Sequence, residues 1–343
     1  MLDSHSNATV MPRAFVAGAA GFLGSHLTDR LLNEGWEVIG ADNLMCGSLS
    51  NLERASERPH FSFLQADVIS PLEDGIDCDL VLNLACPASP PRYQKDPLHT
   101  LMTCVVGTFN LADLAHRSSA RIIHSSTSEI YGDPTMHPQP ESYRGNVNPI
   151  GPRACYDEGK RAAEALLFDM HRTRGLDIGV CRIFNTYGPR MDPFDGRVVS
   201  NFIRQMLMNE PVTVYGDGSQ TRSFCYVDDM VEGIWQFCKA GPDVTGPINL
   251  GNPVEMTILE LVEMIFEIVG RVPEIAFHPL PQDDPTRRRP DIAQAKEKLG
   301  WQPAISPREG ISRTIDYFDE LLSSGRFDVF VPRYGPRYQP AAE

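Results

Sequence analysis

The sequence predicts an α/β fold in which a doubly wound parallel sheet is followed by a smaller C-terminal α/β substrate lobe. Short strand-like runs alternate with helix-like segments from Arg13 to about Arg190. The strand-like runs are apolar throughout, which is typical of parallel strands covered by helices on both faces. After Arg190 this alternation stops, and short strands mix with helices and proline-rich loops. A chain of 343 residues is long enough for two such units.

The first half reads as strand–helix pairs in chain order. The segment RAFVAG predicts the first strand, and FLGSHLTDRLLNEG has apolar residues at helical spacing and stops at Gly35. Further strands are predicted at WEVIGAD, FSFLQAD, CDLVLNLA, ARIIHSS and GLDIGVCRIF. Long helices are predicted over residues 98–116 and 153–174. The apolar faces of these two helices could pack either on the sheet or on a second copy of the chain, as in a homodimer.

The second half predicts the smaller lobe. Its strands are predicted at PVTVYG and TRSFCYV, and its helices at DDMVEGIWQFCKA and TILELVEMIFEIVG. We therefore expect a dinucleotide-binding unit over residues 13–190 and a substrate lobe over residues 191–325, partly woven back into the first unit. Residues 1–12 and 329–343 are expected to be irregular tails.

Composition excludes several classes of partner. The formal net charge is −14 and there is no long basic run, so neither nucleic acid nor an anionic membrane surface is expected as a partner. The eight cysteines form no C-x-x-C pair, and no histidine cluster has metal-ligand spacing. We therefore expect no metal site and a reducing compartment. The N-terminus lacks the pattern of a signal peptide and no apolar stretch reaches about 18 residues, which predicts a soluble, cytoplasmic protein.

Three glycines follow the first predicted strand: Gly18, Gly21 and Gly24 in GAAGFLG. Between a strand and a helix, this spacing indicates a Rossmann-like dinucleotide site. Backbone without side chains can approach a pyrophosphate, and the helix N-terminus offers it unpaired N–H groups. Asp42 ends the next predicted strand, 18 residues after Gly24. Its carboxylate suits the adenosine ribose hydroxyls and would repel a 2′-phosphate, so the predicted cofactor is NAD rather than NADP.

Tyr156 and Lys160 lie four positions apart and therefore share one face of a predicted helix. Taken alone, the pair fits a solvated helix, in which the tyrosine ring packs and the lysine points at water. The G-x-x-G-x-x-G spacing, however, resembles that of the extended short-chain dehydrogenase/reductase family, and this resemblance implies a catalytic pair. The reference pKa of tyrosine is about 10. A nearby ammonium and a positively charged nicotinamide would both favour the phenolate.

The same resemblance implies further site residues. Thr127 follows the strand predicted at ARIIHSS and would hydrogen-bond the reacting oxygen, although hydroxyls at a strand end also commonly satisfy backbone groups. The implied catalytic set is Thr127, Glu129, Tyr156 and Lys160. The implied cofactor contacts are Gly18, Gly21, Phe22, Leu23, Gly24, Asp42, Asn43, Asp67, Val68, Leu84, Cys86, Thr103, Tyr156 and Lys160.

Several longer strings narrow the resemblance. LACPASPPRYQKDP, TSEIYGDP, HPQPESYRGNVNPIGPRACYDEGKR, RIFNTYGPRM, DGRVVSNFI, VYGDGSQTRSFCYVDDM, INLGNP and QDDPTRRRPDI together resemble the UDP-glucuronic acid decarboxylase (UDP-xylose synthase) family. They extend from Arg13 to Trp301, which is nearly the whole predicted fold. The string around the tyrosine and lysine is far more specific than the glycine pattern.

This resemblance implies a complete reaction and a UDP-sugar substrate. Tyr156 would take the proton of the sugar C4 hydroxyl while NAD accepts the C4 hydride. The new ketone lies β to the C6 carboxylate, so carbon dioxide can leave, and the returning hydride then gives UDP-xylose. Glu129 would manage water or protons near C5. Arg222 and Arg288 would contact the anionic part of the substrate, and Asn185, Arg197 and Tyr215 would be further substrate contacts.

The chain also departs from the family pattern. Ala17 replaces a common threonine, and GSLSN (residues 47–51) lacks the basic residues that many relatives carry, which would weaken adenosine binding. Met102 and Cys104 stand where some relatives have lysine and asparagine, which puts one sugar contact in doubt.

Three other functions fit part of the pattern. A nucleotide-sugar 4,6-dehydratase shares the oxidation step, but that family carries an aspartate where Ser128 stands. A 4-epimerase needs neither Glu129 nor Arg288 in the roles given above. A non-enzymatic NAD-binding regulator would have no need of Thr127, Tyr156 and Lys160 together.

Overall fold

The computed structural model describes residues 11–285 and 287–326. Apart from Met11 and Pro12, which have no regular secondary structure, the predicted tails lie outside the described residues. The strands are β1 (Arg13–Ala17), β2 (Glu37–Asp42), β3 (Phe61–Gln65), β4 (Leu80–Asn83), β5 (Arg121–Thr127), β6 (Ile178–Ile183), β7 (Thr186–Tyr187), β8 (Val212–Tyr215), β9 (Thr221–Ser223), β10 (Cys225–Tyr226), β11 (Ile248–Leu250), β12 (Glu255–Thr257), β13 (Ile275–His278) and β14 (Arg287–Arg288).

The helices alternate with these strands in the first half of the chain. They are α1 (Phe22–Asn33), α2 (Glu53–Ser56), α3 (Pro90–Tyr93), α4 (Pro97–Met102), α5 (Thr108–Arg117), α6 (Ala154–Arg174), α7 (Val198–Leu207), α8 (Val227–Lys239), α9 (Ile258–Val269), α10 (Ala293–Leu299) and α11 (Pro307–Ser323). The sequence did not predict α7, α10 or α11 as helices. It predicted one strand at TRSFCYV, whereas the structure has β9 and β10 there, in separate sheets.

Seven parallel strands form the main sheet in the order β11-β6-β5-β4-β1-β2-β3. Buried side chains cover both faces. One face carries Leu27 of α1 and Phe237 of α8, and the other carries Leu111 of α5 and Leu167 of α6. The predicted doubly wound parallel sheet is therefore confirmed.

The strand order reverses between β1 and β4, because β2 lies on one side of β1 and β4 on the other. In open parallel sheets, ligands bind outside the carboxyl ends of the strands at such a switch point. The fold therefore places a binding cleft beside the glycines that follow β1.

The second half of the chain supplies small sheets of two or three strands, β12-β9-β14, β13-β8 and β10-β7. It also supplies β11, which pairs in parallel with β6 through Ile248 and Cys181. The boundary at Arg190 between the two expected units stays a prediction. Beyond Arg190, however, the chain returns to the main sheet as β11.

The helix predicted over residues 98–116 is continuous but not uniform. Between α4 and α5, Thr103–Gly107 forms a π-helical turn, a feature that is frequent at functional sites. Among the described residues, Pro97–Arg117 is the one helical stretch long and apolar enough to cross a membrane, and half of its apolar window is buried in the fold. A helix that is half buried in the fold is typical of a soluble protein's core, so the length and apolar composition of this helix are weak evidence that it spans a membrane.

Candidate active site and cofactor cleft

A cleft opens at the switch point of the main sheet. Nine of the predicted cofactor residues line it: Gly18, Gly21, Asp42, Asn43, Asp67, Val68, Leu84, Cys86 and Thr103. It is also lined by residues that the sequence did not single out: Ala41, Met45, Cys46, Gly47, Ala66, Ala85, Pro87 and His99. The cleft thus gathers residues from the ends of β1, β2, β3 and β4 and from the π-helical turn.

The glycines shape the floor of this cleft. Gly18 has a φ of +82°, and a Cβ there would lie 2.8 Å from the backbone of Leu84. A Cβ on Gly24 would lie 1.9 Å from the carbonyl oxygen of Gly18. Any side chain at either position would displace backbone, which is the requirement of a tight turn that lets a pyrophosphate approach. The residues present therefore fit a dinucleotide.

Phe22 and Leu23 do not line the cleft with their side chains, but they begin α1. The residue that caps α1 is Gly21, which has no side chain with which to accept from the first turn. The backbone N–H groups of Phe22 and Leu23 are therefore available donors at the positive end of the helix dipole. This arrangement matches their predicted role as contacts to a pyrophosphate.

Asp42 lies at the end of β2, buried in the cleft wall. Its Oδ2 accepts from the backbone N–H of Ala20 at 3.0 Å, and its Oδ1 accepts from that of Leu44 at 2.7 Å. Contact with the ribose stays a prediction, and the backbone bonds hold the carboxylate in place for it.

Asp67 lies in the opposite wall of the cleft, where it is hydrogen-bonded to two neighbouring side chains. Its Oδ2 accepts from Asn43 Nδ2 at 2.8 Å and lies 2.7 Å from His99 Nε2. Burial opposes ionisation of Asp67, but these hydrogen bonds outweigh it and lower its pKa. Asn43 and Asp67, which were both predicted as cofactor contacts, are thus joined to His99.

The catalytic candidates meet where β5 ends beside the first two turns of α6. Tyr156 is 5% exposed, and its hydroxyl is hydrogen-bonded to the side chain of Thr127. Lys160 Nζ donates to the carbonyl oxygen of Ser125 at 2.7 Å and lies 5.9 Å from the centroid of the Tyr156 ring. The structure therefore brings Thr127, Tyr156 and Lys160 together as predicted. Tyr93 adds a contact that the sequence did not reveal, since its ring stacks on that of Tyr156 at 5.0 Å.

The pKa of Tyr156 differs from the expectation that the neighbouring ammonium would lower it. Burial raises the pKa of Tyr156 well above its usual range, and the Cys86 thiol and the Glu129 carboxylate raise it further. The hydrogen bond from Thr127 lowers it only in part. The expectation counted the positive charge of a nicotinamide as well. This chain's own groups do not lower the pKa by themselves, because Lys160 is directed at the Ser125 carbonyl and burial penalises the phenolate.

A buried ion pair anchors the helix that carries Tyr156 and Lys160. Glu164, one turn beyond Lys160, accepts from Arg182 Nε at 3.0 Å and Nη2 at 2.7 Å. It also accepts from the hydroxyl of Ser126 at 2.5 Å, next to Thr127. The α6 helix is thereby tied to β6 and to β5, the strand that ends at the catalytic candidate Thr127.

Three arginines and two carboxylates form a buried cluster beside Thr127 and Tyr156, which we call the arginine cluster: Arg153, Arg222, Arg288, Glu129 and Asp284. Glu129 accepts from Arg288 Nη1 at 2.6 Å and Nη2 at 2.9 Å, and from Arg153 Nη2 at 2.7 Å. Asp284 accepts from Arg153 Nη1 at 3.0 Å and from Arg222 Nη2 at 2.8 Å.

The pairing of β14 with β9 explains why this cluster forms. It sets Arg288 directly beside Arg222. Like charges at facing positions destabilise a sheet unless they are compensated, and here Glu129 and Asp284 compensate them. The cluster therefore combines the predicted Glu129, Arg222 and Arg288 with two residues, Arg153 and Asp284, to which the sequence gave no role.

The charges in the arginine cluster determine the protonation state of Glu129. Burial alone would raise its pKa, but the guanidinium groups of Arg288 and Arg153 lower the pKa of Glu129 to about 2. Glu129 is therefore a carboxylate at neutral pH, able to accept but not to donate a hydrogen bond.

The neighbouring carboxyl of Asp157 behaves in the opposite way. It is 6% exposed, and its Oδ1 has no hydrogen-bond partner among the described residues. Burial, followed by the charge of Glu129, raises the pKa of Asp157 to about 8, although Arg153 and Arg288 oppose this. Two carboxyl groups of the same helix–strand junction thus have pKa values far apart.

The remaining predicted substrate residues lie around the lobe side of the site. Asn185 is half-buried between β6 and β7, and its backbone carbonyl accepts from Cys225. Arg197 precedes α7, pairs with Asp195 through its Nε at 2.6 Å, and lies over the Phe22 ring at 6.0 Å. Tyr215 ends β8 beside His278. Their contact with a substrate stays a prediction.

The site residues that the sequence did not indicate share one property: the side chains to which they are hydrogen-bonded are distant in the sequence. Arg153 stands three residues before Tyr156 in the most specific string, which was the available signal. Asp284 stands in QDDPTRRRPDI, but its pairing with Arg153, 131 positions away, could not be read from that string. His99 gave no signal, because a lone histidine in an apolar helix is more often a satisfied core residue.

A model of the NAD dependent epimerase/dehydratase family matches residues 14–251. The chain belongs to this family. Its predicted cofactor, NAD, agrees with the family description. The G-x-x-G-x-x-G turn and the Tyr156–Lys160 pair lie inside the matched region.

Similar proteins match this chain over most of their length. UDP-glucuronic acid decarboxylase 5 of Arabidopsis thaliana is 54% identical over 300 residues, which cover 87% of this chain and 87% of the relative. UDP-glucuronic acid decarboxylase 1 of Danio rerio is 48% identical over 321 residues, covering 94% of this chain and 76% of the relative. The UDP-glucuronic acid 4-epimerase of Bacillus cereus, solved with UDP-glucuronic acid and NAD, has a TM-score of 0.80 at 28% identity and covers 90% of this chain and 99% of its own. The predicted resemblance to the decarboxylases is confirmed.

Proposed function

We propose that this protein converts UDP-glucuronate into UDP-xylose and carbon dioxide. The observation that carries the proposal is the arginine cluster beside Thr127 and Tyr156. Three arginines against two carboxylates give the cluster a formal charge of +1, in a chain whose net charge is −14. A positively charged, largely buried cluster next to a sugar-oxidising tyrosine suits a substrate that carries an anion near its reacting carbon. The identity to two UDP-glucuronic acid decarboxylases supports a uronate as that substrate.

NAD, when bound in the cleft, supplies a positive charge beside Tyr156 and an acceptor for the hydride of sugar C4, which it later returns. The chain's own residues handle the proton. Tyr156 accepts it from the C4 hydroxyl, and Thr127 holds the reacting oxygen in line with the tyrosine. Because the chain's own groups raise the pKa of Tyr156, we expect this proton transfer to occur only in the loaded site.

The ketone at C4 then lies β to the C6 carboxylate. The C5–C6 bond breaks, carbon dioxide leaves, and the electron pair moves into the ketone as an enolate. C5 of the enolate then takes one proton from solvent water, and Glu129, an ionised carboxylate, orients that water as a hydrogen-bond acceptor rather than donating the proton itself. Arg153 and Arg288 hold that carboxylate through three hydrogen bonds, which fix its direction.

Arg222 and Arg288 face the substrate in this proposal, but both are already paired with Asp284 and Glu129, respectively. Each guanidinium has five donors in a planar fork. An incoming carboxylate or diphosphate therefore shares these arginines with the two acids of the chain.

Incubation of the protein and NAD with UDP-glucuronate tests the proposal. We expect release of carbon dioxide, UDP-xylose as the nucleotide-sugar product, and no net accumulation of reduced cofactor. UDP-glucose is the matched control substrate, because it offers the same C4 hydroxyl without the carboxylate. UDP-galacturonate as the main product from UDP-glucuronate would refute the decarboxylase assignment and favour an epimerase, and a 4-keto-6-deoxy sugar formed from UDP-glucose would favour a dehydratase.

The structure gives the dehydratase alternative little support. Ser128 is 2% exposed and stands where the 4,6-dehydratases carry an acid. A serine hydroxyl cannot protonate a leaving hydroxyl at neutral pH.

We also propose that two copies of the chain associate through the helices that contain the π-helical turn. Leu98 is 76% exposed, Leu101 37%, Met102 46% and Phe109 40%, and all four lie on Pro97–Arg117. A contiguous apolar surface of this kind is typical of an interface. Light scattering should report a dimer that Leu98→Glu converts to a monomer. Val272→Glu, at a position that is 84% exposed on the lobe, is the control and should leave the dimer intact.

For its location we propose the cytoplasm, since all eight cysteines are free, as suits a reducing compartment. Imaging of the tagged protein in its own cell tests this, and a signal confined to a membrane would contradict it.

A further inference from the structure

Two cysteines meet at the wall of the cofactor cleft. The Sγ atoms of Cys86 and Cys104 lie 3.4 Å apart and share a hydrogen bond. Cys86 follows β4 and lines the cleft, whereas Cys104 is 1% exposed within the π-helical turn. The proposed reaction uses neither thiol.

We propose that Cys86 and Cys104 form a redox site, a dithiol that a peroxide oxidises to a reversible disulfide. A disulfide requires the sulfur atoms to approach to about 2.05 Å. From 3.4 Å this is a movement of about 0.7 Å for each sulfur, within the range of a small side-chain rotation. The two thiols are therefore already placed for bond formation without a rearrangement of the fold.

The packing around Cys104 makes room for this pairing. A Cβ on Gly159 would lie 2.9 Å from Cys104 Cβ and 3.1 Å from its Sγ. Any larger residue at this position of α6 would push Cys104 away from its present place. Glycine at 159 thus keeps the sulfur where it reaches Cys86.

The charges around the pair favour reaction. A hydrogen bond from Cys86 and the ammonium of Lys160 lower the pKa of Cys104 against the effect of burial, whereas burial raises the pKa of Cys86. Because the two thiols share a proton, the first ionisation belongs to the pair and either sulfur can carry the negative charge. The thiolate, not the thiol, is the nucleophile in thiol oxidation.

The reaction balances with a peroxide as the oxidant. Peroxide enters from the cleft, where Cys86 is half-buried. The Cys104 thiolate takes the proton of Cys86 through their shared hydrogen bond, and the Cys86 thiolate attacks one peroxide oxygen; the O–O bond breaks and one water leaves, which gives a sulfenic acid at Cys86. The Cys104 sulfur then displaces the hydroxyl as a second water and forms the S–S bond. The two thiols lose two electrons, which reduce the peroxide to two waters.

A disulfide between Cys86 and Cys104 would affect the active site because of the residues that lie between the two cysteines in the sequence. The 17 residues between them include Tyr93, which stacks on Tyr156, and His99, which holds Asp67 in the cleft wall. Closing this segment draws the Cys86 side chain from the cleft toward α6. We therefore expect oxidation and cofactor binding to compete.

The experiment treats the full-length protein with hydrogen peroxide and maps its cysteines by peptide mass spectrometry. We expect a single 86–104 cross-link, the loss of two titratable thiols per chain, and full recovery with dithiothreitol. In cofactor-free protein, NAD at about ten times its dissociation constant should slow the formation of the link about tenfold, because only the unbound fraction reacts.

Two variants sharpen the test. Cys104→Asn, which removes one of the two thiols, should abolish the link. Cys155→Ser is the matched control, since Cys155 is a half-buried thiol whose pKa is raised in part by nearby Cys104, and the 86–104 link should still form in this variant.

Several outcomes would overturn the proposal: a cross-link of Cys104 to Cys155 or Cys46 instead, irreversible oxidation of Cys86 without a link, or a link that forms at the same rate in saturating NAD. None of these measurements uses the UDP-sugar substrate. Their outcome is therefore independent of whether the proposed decarboxylation is correct.

Discussion

Replacing Glu129 by glutamine tests whether the arginine cluster is held together as described. The carboxylate receives three charged hydrogen bonds, two from Arg288 and one from Arg153. An amide of the same shape has one oxygen to accept from them, and its NH₂ group would face guanidinium donors. Glu129→Gln should therefore destabilise the protein without changing the volume of the side chain.

The magnitude follows from the pKa of Glu129. Lowering that pKa from 4.5 to about 2 corresponds to about 3 kcal/mol of folding free energy, at about 1.4 kcal/mol for each tenfold change in the ionisation constant. The side chain is only 16% exposed, so solvent screens little of this. Breaking a buried pair by removing one partner costs about 3–5 kcal/mol in other proteins, which is the same range. A depressed carboxyl pKa means that this contribution is complete above pH 4.5 and is lost as the pH falls through about 2.

Urea unfolding of wild type and Glu129→Gln, each at a fixed concentration of NAD, measures the difference. We expect about 3 kcal/mol between pH 7 and 5 and a difference that shrinks below pH 4.5. Glu34→Gln is the control, because Glu34 pairs with Arg30 at 2.8 Å on the surface, where such a pair contributes about 0.3–0.5 kcal/mol. If Glu129→Gln costs no more than Glu34→Gln, the carboxylate is not clamped by the two arginines and our account of the cluster is refuted.

Three further substitutions test the site. Tyr156→Phe removes only the proton-accepting oxygen, so turnover should fall about 10²–10⁴-fold while the NAD dissociation constant stays within a few-fold, and activity close to wild type would exclude Tyr156 as the base. Asp42→Ala should weaken NAD and narrow its advantage over NADP, as measured by the dissociation constants of both; an unchanged ratio would place the ribose elsewhere. Asp157→Asn should reduce the loss of stability on raising the pH, because a carboxyl whose pKa is raised to about 8 favours the fold only while protonated, and its stabilisation is lost between about pH 4 and 8. Melting temperatures at pH 6 and 9 measure this, and the same slope in both proteins would contradict it.

Local patterns were sufficient to predict the main sheet and the cofactor turn. Continuous apolar runs mark strands buried on both faces, and glycines at fixed offsets mark a turn whose geometry excludes side chains, as Gly18 and Gly24 show. The i, i+4 spacing placed Tyr156 and Lys160 on one face for the same reason. Each of these signals depends on a few neighbouring residues, and so it can be read without knowledge of the rest of the fold.

The arginine cluster could not be predicted in the same way. Its pairs join residues that are 24 to 159 positions apart, and which acid meets which arginine depends on the β9–β14 register. The effect of burial on the pKa of Tyr156 could not be predicted for a related reason. The spacing shows that Lys160 is near, but not that its ammonium is directed at Ser125 or that burial of the ring outweighs its charge. The burial of a side chain depends on the whole fold, and the spacing of residues along one helix gives no information about it.

The return of the chain to the main sheet has a consequence for biosynthesis. Strand β6 ends at Ile183, and the strand that covers its outer edge, β11, begins 65 residues later at Ile248. At roughly 5–20 residues per second, a ribosome leaves that edge uncovered for about 3–13 s. Because an unpaired strand edge is a template for association with other chains, the nascent protein depends during those seconds on dilution or on chaperones. A fragment that ends near Arg190 would keep the edge permanently exposed and should aggregate.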